Sequence, residues 1–166
     1  MDVIVGNLCS LFAMITDSIS SAQKTAKRVL LVQCLSQLIY CVGTVVLKGY
    51  SGAVQNVISI LRNVVAIRKI ESRIVEWSLV AAGVILGLAF NNLGWIGLLP
   101  VIANLQYTLA VFRFKDNERA LKISFTVCLL MFAVFNGAIL NIVGVITNLV
   151  VFVVTLSCFF KPAKKA

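Results

Sequence analysis

The sequence predicts an all-α polytopic membrane protein of seven short-looped helices, and three observations predict it. The first is composition. Of 166 residues, 60% are hydrophobic and only 13% are charged, where soluble domains carry about a quarter charged. With a mean hydropathy of +1.01, this excludes a soluble enzyme, a disordered tail and a secreted disulfide scaffold. The second is length. A span needs about 20 apolar residues to cross a core of about 30 Å, so seven spans use about 140 residues. That leaves short loops and no extramembrane domain. The third is the placement of basic residues, which only makes sense once the elements are set out.

Span 1 covers 3–22 and carries Thr16-Asp17-Ser18 near its far end. No basic residue precedes it, whereas a cleavable signal peptide has a positive n-region, so it reads as a real span. Span 2 covers 28–47 and follows Lys24, Lys27 and Arg28. Span 3, at 51–68, holds a row of polar residues inside an apolar run. Span 4, at 75–91, follows Arg68, Lys69 and Arg73 and ends in the turn-forming Asn91-Asn92-Leu93-Gly94. Span 5, at 94–112, contains Pro100, which removes one backbone hydrogen bond; a hinge and a packing kink are both open readings. Span 6, at 119–135, follows Arg113, Lys115, Arg119 and Lys122, and Asn136-Gly137 divides it from span 7 at 138–160. Trp77 and Trp95 fall near span ends and read as interfacial anchors.

On this layout 13 basic residues, counting Lys161, Lys164 and Lys165, fall on one side, and Lys48 alone falls on the other. Cytoplasmic loops collect Lys and Arg, so the N-terminus is expected outside and the C-terminus in the cytoplasm. The net charge of +9 therefore reads as orientation, not as nucleic-acid binding. There is no His, and the five cysteines lie in apolar runs without a CxxC, which reads as packing. No metal or cofactor is expected. No nucleotide-binding motif, HExxH or His-containing triad is present, so the chain is not expected to be an enzyme.

Span 3 and span 7 look alike at a shift of 85 residues: Gly52 meets Gly137, Asn56 meets Asn141 and Asn63 meets Asn148. Asn is rare inside apolar helices, so two matched pairs point to an internal repeat. The expected organisation is a first three-helix repeat at 1–68, a linker helix at 69–93, a second repeat at 94–160 and a basic cytoplasmic tail at 161–166. Gly52, Asn56, Ser59 and Asn63 form one helical stripe, and Gly137, Asn141, Gly144 and Asn148 form another. Such stripes can line a polar cavity, since each carboxamide offers donors and acceptors, or can serve helix packing. Asp17 and Arg62 are the acid and the cation within spans. They sit at similar depth near the basic ends of spans 1 and 3, which suggests an ion pair or a gate, with Thr147 and Gln106 at the matching places of the second copy.

The strings Gln33…Tyr40, Ser51 to Asn56, Ile60-Leu61-Arg62-Asn63 and Gly97-Leu98-Leu99-Pro100-Val101-Ile102-Ala103 resemble the YgjV-type bacterial inner-membrane family over nearly the whole chain. The 3+1+3 plan, N-out and C-in, also resembles the SWEET / PQ-loop superfamily and the PnuC vitamin-precursor transporters. The Pro-Gln pair of the PQ-loop proteins is absent. The resemblance implies two parallel repeats rocking about a central site. It also implies that Asn56 and Asn141 contact the solute, with Tyr40 as the aromatic and Phe132 or Phe125 as its counterpart. The expected function is a bacterial inner-membrane transporter for a neutral or zwitterionic polar solute. Alternatives are a PnuC-like nucleoside or vitamin-precursor carrier and a non-transporting membrane binding or receptor protein. The expected partners are that solute and the bilayer, with a homo-oligomer possible and no nucleic acid.

Overall fold

The computed structural model describes residues 1–21, 26–114 and 118–160. Lys24, Lys115 and the tail 161–166 lie outside the described residues, as do the side chains of Lys122 and Cys158. The elements are α1 (Asp2–Ser21), α2 (Ala26–Val46), α3 (Tyr50–Ile67), α4 (Arg73–Ala89), α5 (Trp95–Arg113), α6 (Glu118–Ala138) and α7 (Ile142–Phe160), with no strand among the described residues. Among the described residues, three helices are long and apolar enough to cross a membrane: α1 over Asp2–Ile19, α5 over Trp95–Arg113 and α6 over Arg119–Ala138. Shorter apolar stretches run through Leu30–Val46 in α2 and Ile142–Leu156 in α7. α3 is interrupted by Gln55, Asn56, Ser59, Arg62 and Asn63, and α4 has 17 residues. Polar groups in such helices must find partners within the bundle.

Six helix starts lie within two residues of expectation, and the seventh does not. Asn136 and Gly137 are in the last turn of α6, and the chain reverses at Ile139 to Asn141. Leu140 takes a left-handed φ of 57°. The Asn141 N–H donates to the Asn136 carbonyl at 2.9 Å, which closes the helix end. The Asn141 side chain then caps α7, its Oδ1 accepting from the Gly144 N–H at 3.0 Å.

This turn repeats the one between α2 and α3. Lys48 has φ 59°, the Gly49 N–H donates to Thr44 at 2.8 Å, and the Ala53 N–H donates to Gly49 at 3.0 Å. The counterparts are Leu140, the Asn141-to-Asn136 bond and a Val145-to-Asn141 bond of 3.0 Å, each 92 positions along. At this offset Asn56 matches Asn148, and Gly52 matches Gly144. The expected pairing of Asn56 with Asn141 is therefore displaced by seven residues. The Gly/Asn stripe has a period of seven, so Gly and one Asn pair match at either offset, and the additional match of Asn63 with Asn148 favours 85 in the sequence alone.

Packing closes six helices into a ring, α1–α2–α3–α5–α6–α7 and back to α1, with α4 outside against α3 and α5. The end opposite the basic connections is packed by Leu47, Phe135 and Ile139, with Leu93, Leu99 and Phe132 against them. Phe135 is 1% exposed and reaches α3: a Cβ on Gly52 would lie 2.5 Å from its ring, so a side chain there would collide.

Candidate functional site: a polar wall inside the helix ring

Ser36, Tyr40 and Thr44 are spaced i, i+4, i+8, so α2 presents them as one stripe. The Ser36 hydroxyl lies between the Asp17 carboxylate of α1 and the Gln33 carbonyl, and can donate to either. Thr44 donates back to the Tyr40 carbonyl at 2.6 Å and accepts from Asn56 Nδ2 at 3.4 Å. The Cys34 thiol of α2 donates to the carbonyl of Ile60, which lies between Asn56 and Asn63 on α3, at 3.9 Å. The Asn56/Asn63 face of α3 is thus turned to α2. The Tyr40 ring is half-buried on this wall, and its hydroxyl bonds to no described residue.

The neighbouring face of α3 is turned to α5. Gln55 Nε2 donates to the Gly83 carbonyl of α4 at 2.8 Å, and its Oε1 accepts from Asn104 Nδ2 at 2.8 Å. Asn104 Oδ1 in turn accepts from Arg62 Nη1 at 2.9 Å and from Ser59 at 3.4 Å. Arg62 Nη1 also reaches Thr108 Oγ1 at 3.4 Å. The guanidinium carbon lies 5.0 Å from the centre of the Tyr107 ring, which contacts Phe125 at 5.5 Å. Every group holding Arg62 is neutral.

The expected Asp17–Arg62 ion pair is not formed, and neither residue pairs with an opposite charge among the described residues. The reason is azimuth. Successive helical residues are turned by about 100°, so Asn63 faces α2 while Arg62 faces α5. The other expected site residues are scattered. Asn141, 2% exposed, bonds only within its own turn, donating to Asn136 Oδ1 at 3.1 Å while capping α7, which accounts for its burial without a solute. Asn148 is half-buried on α7 and its side chain bonds to no described residue. Gln106 joins α5 to α6 by exchanging bonds of 2.8 and 2.6 Å with Ser124. Pro100 is buried, and α5 runs through it without a break.

Opposite the polar wall, α6 offers Phe125, Cys128, Phe132 and Phe135 at spacings of three and four. Asn104, Thr108 and Tyr107 were missed by the sequence reading. Their signal was present, since Asn104 and Thr108 are polar residues one turn apart inside an apolar helix. The arrangement sets hydrogen-bonding groups of α2, α3 and α5 on one side and an aromatic, apolar face of α6 on the other.

A model of the Imp-YgjV family of bacterial inner membrane proteins matches residues 4–163 of the chain. No curated protein and no solved structure matches it significantly.

Proposed function

The chain belongs to the Imp-YgjV family of bacterial inner membrane proteins, and we propose that it is a carrier for a small polar solute, best a zwitterion. All seven helices cross, the basic end faces the cytoplasm, and two three-helix units offset by 92 residues rock about the ring interior in a SWEET-like way. One observation carries this reading: two opposite charges stand in the same bundle, unpaired with each other, each held by neutral groups. Ionisable residues in a membrane interior are costly and mark solute paths by default. Asp17 then takes the cationic group of the solute, Arg62 takes the anionic group, and Tyr40 stacks on the body between them. The apolar contact of Phe135 with Gly52 supplies a closed gate at the end opposite the basic connections.

The test is a thermal-shift screen of the purified chain against amino acids, betaines, sugars and nucleosides, followed by flux into proteoliposomes. A ligand bound to the native state raises its apparent stability. Asp17→Asn and Arg62→Gln should each weaken binding of a zwitterion by about 10- to 100-fold, the loss of one charge-assisted bond. Binding and flux unchanged in both variants would overturn the site; binding without flux would make the protein a receptor instead.

A further inference from the structure

A vestibule of about 970 Å³ opens at the basic end, between the close of α3, the 68–72 connection, the start of α4 and the close of α5. Small-ligand sites commonly measure about 300–1,000 Å³. Four cations line it, Arg62, Lys69, Arg73 and Arg113, against two carboxylates, Glu71 and Glu76. The positive-inside rule accounts for the number of cations. It does not account for their convergence on one cavity from several elements.

Two of these cations are set in place by unusual means. Glu76 is 8% exposed and its Oε1 receives no hydrogen bond; it stands 3.7 Å from Arg113 Nε. Arg113 also lies over the Trp77 ring, 5.6 Å from its centre. One edge and one face of the guanidinium are therefore occupied, while the side chain stays 55% exposed toward the vestibule. Lys69 closes α3 with φ 52°, its N–H donating to Ala66 at 3.1 Å. Glycine is the residue favoured at such a helix end. A lysine there accepts strain and brings a cation to the rim.

We propose that this vestibule binds an anionic phosphate group. Arg62 closes its inner end, Arg113 is pre-positioned by Glu76 and Trp77, and Lys69 and Arg73 supply the rim. A phosphate carries several acceptor oxygens and matches the excess of cations. The group can arrive as the headgroup of an anionic lipid, which basic pockets between helices on the cytoplasmic side accept, or as a soluble phosphate ester. The site shares Arg62 with the proposed solute path, and its rim, formed by Lys69, Arg73 and Arg113, lies apart from Asp17 and Tyr40 and is tested separately.

The experiment uses the full chain in neutral detergent, with melting temperature followed against four probes: short-chain phosphatidylglycerol, the matching phosphatidylcholine, inorganic phosphate and glycerol 3-phosphate. A saturable rise with phosphatidylglycerol and not with phosphatidylcholine supports the site with a lipid ligand. An equal or greater rise with the soluble phosphates supports it with a free ester. Lys69→Gly relieves the left-handed strain, so it should melt no lower than the parent without ligand, yet bind about tenfold more weakly. The paired change Glu76→Gln with Arg113→Gln removes both charges together and should weaken binding at least as much. No saturable rise with either source, or undiminished affinity in both variants, overturns the proposal.

Discussion

Arg62 and Asp17 both lie toward the basic ends of α3 and α1, which run in the same direction, yet each bonds to a different neighbour. Arg62 donates to Asn104 and Thr108, and Asp17 accepts from Ser36. A double-mutant cycle between Asp17→Asn and Arg62→Gln, read by melting temperature, should therefore give a coupling below about 0.5 kcal/mol, as for sites without a shared partner. A coupling of 1 kcal/mol or more would restore the ion pair. At this scale the sequence showed which residues are polar in an apolar setting, but not where they point. Depth follows from counting residues from a helix end. Azimuth follows from packing, and one residue of difference, Arg62 against Asn63, changes the neighbour from α5 to α2. Asn104 was equally legible as a polar intruder, and only its partner Gln55 shows that it anchors the Arg62 network.

The connection between α6 and α7 illustrates how elements were read and misread. Asn136-Gly137 has turn composition, and the sequence reading placed the reversal there. A Cβ on Gly137 would meet only Val145, at 3.8 Å, so the backbone at this point does not require glycine. Gly137→Ala should leave stability unchanged or raise it by up to about 1 kcal/mol, the gain of alanine over glycine in a helix. Asn141→Ala should cost about 1 kcal/mol through loss of the α7 cap. If thermal or denaturant unfolding ranks the two the other way, the turn lies where composition suggested. Six of the seven helices were legible because apolar runs bounded by basic residues mark them. The seventh start was lost because its left-handed residue is Leu140, which gives no signal in the sequence. At Gly52 the opposite holds, since a side chain there would run into Phe135. Gly52→Ala should cost about 1–3 kcal/mol by overpacking, and Phe135→Leu in the same chain should recover part of it.

For the whole molecule, the crossing of α3 and α4 is what decides the topology, because among the described residues α1, α5 and α6 carry full-length apolar spans and α2 and α7 carry shorter apolar stretches. The ring of six was not legible, as it depends on contacts between α3 and α5 and between α1 and α7 that no local pattern encodes. The asymmetry of basic residues was legible, and it predicts the arrangement of ends. Asn92 Nδ2 donates to the Lys48 carbonyl at 2.6 Å, so the turns before α3 and after α4 share one end of the bundle. The 68–72 connection lies at the opposite end of α3, whose 18 residues span about 27 Å at 1.5 Å each. That distance is close to a hydrocarbon core of about 30 Å, so α3 and α4 can each cross if their polar side chains are satisfied internally. Gln55, Asn56, Ser59 and Arg62 of α3 are held in this way, while Ser51 Oγ is buried without a partner among the described residues. In a cysteine-free background, Asn92→Cys should react with an impermeant maleimide added to intact cells. Ile70→Cys should react only after the membrane is opened. Labelling of both from outside would mean that α3 and α4 form a hairpin that does not traverse the bilayer. Labelling of Ile70→Cys alone would mean that the basic end faces outward, against the electrostatic rule on which the orientation rests.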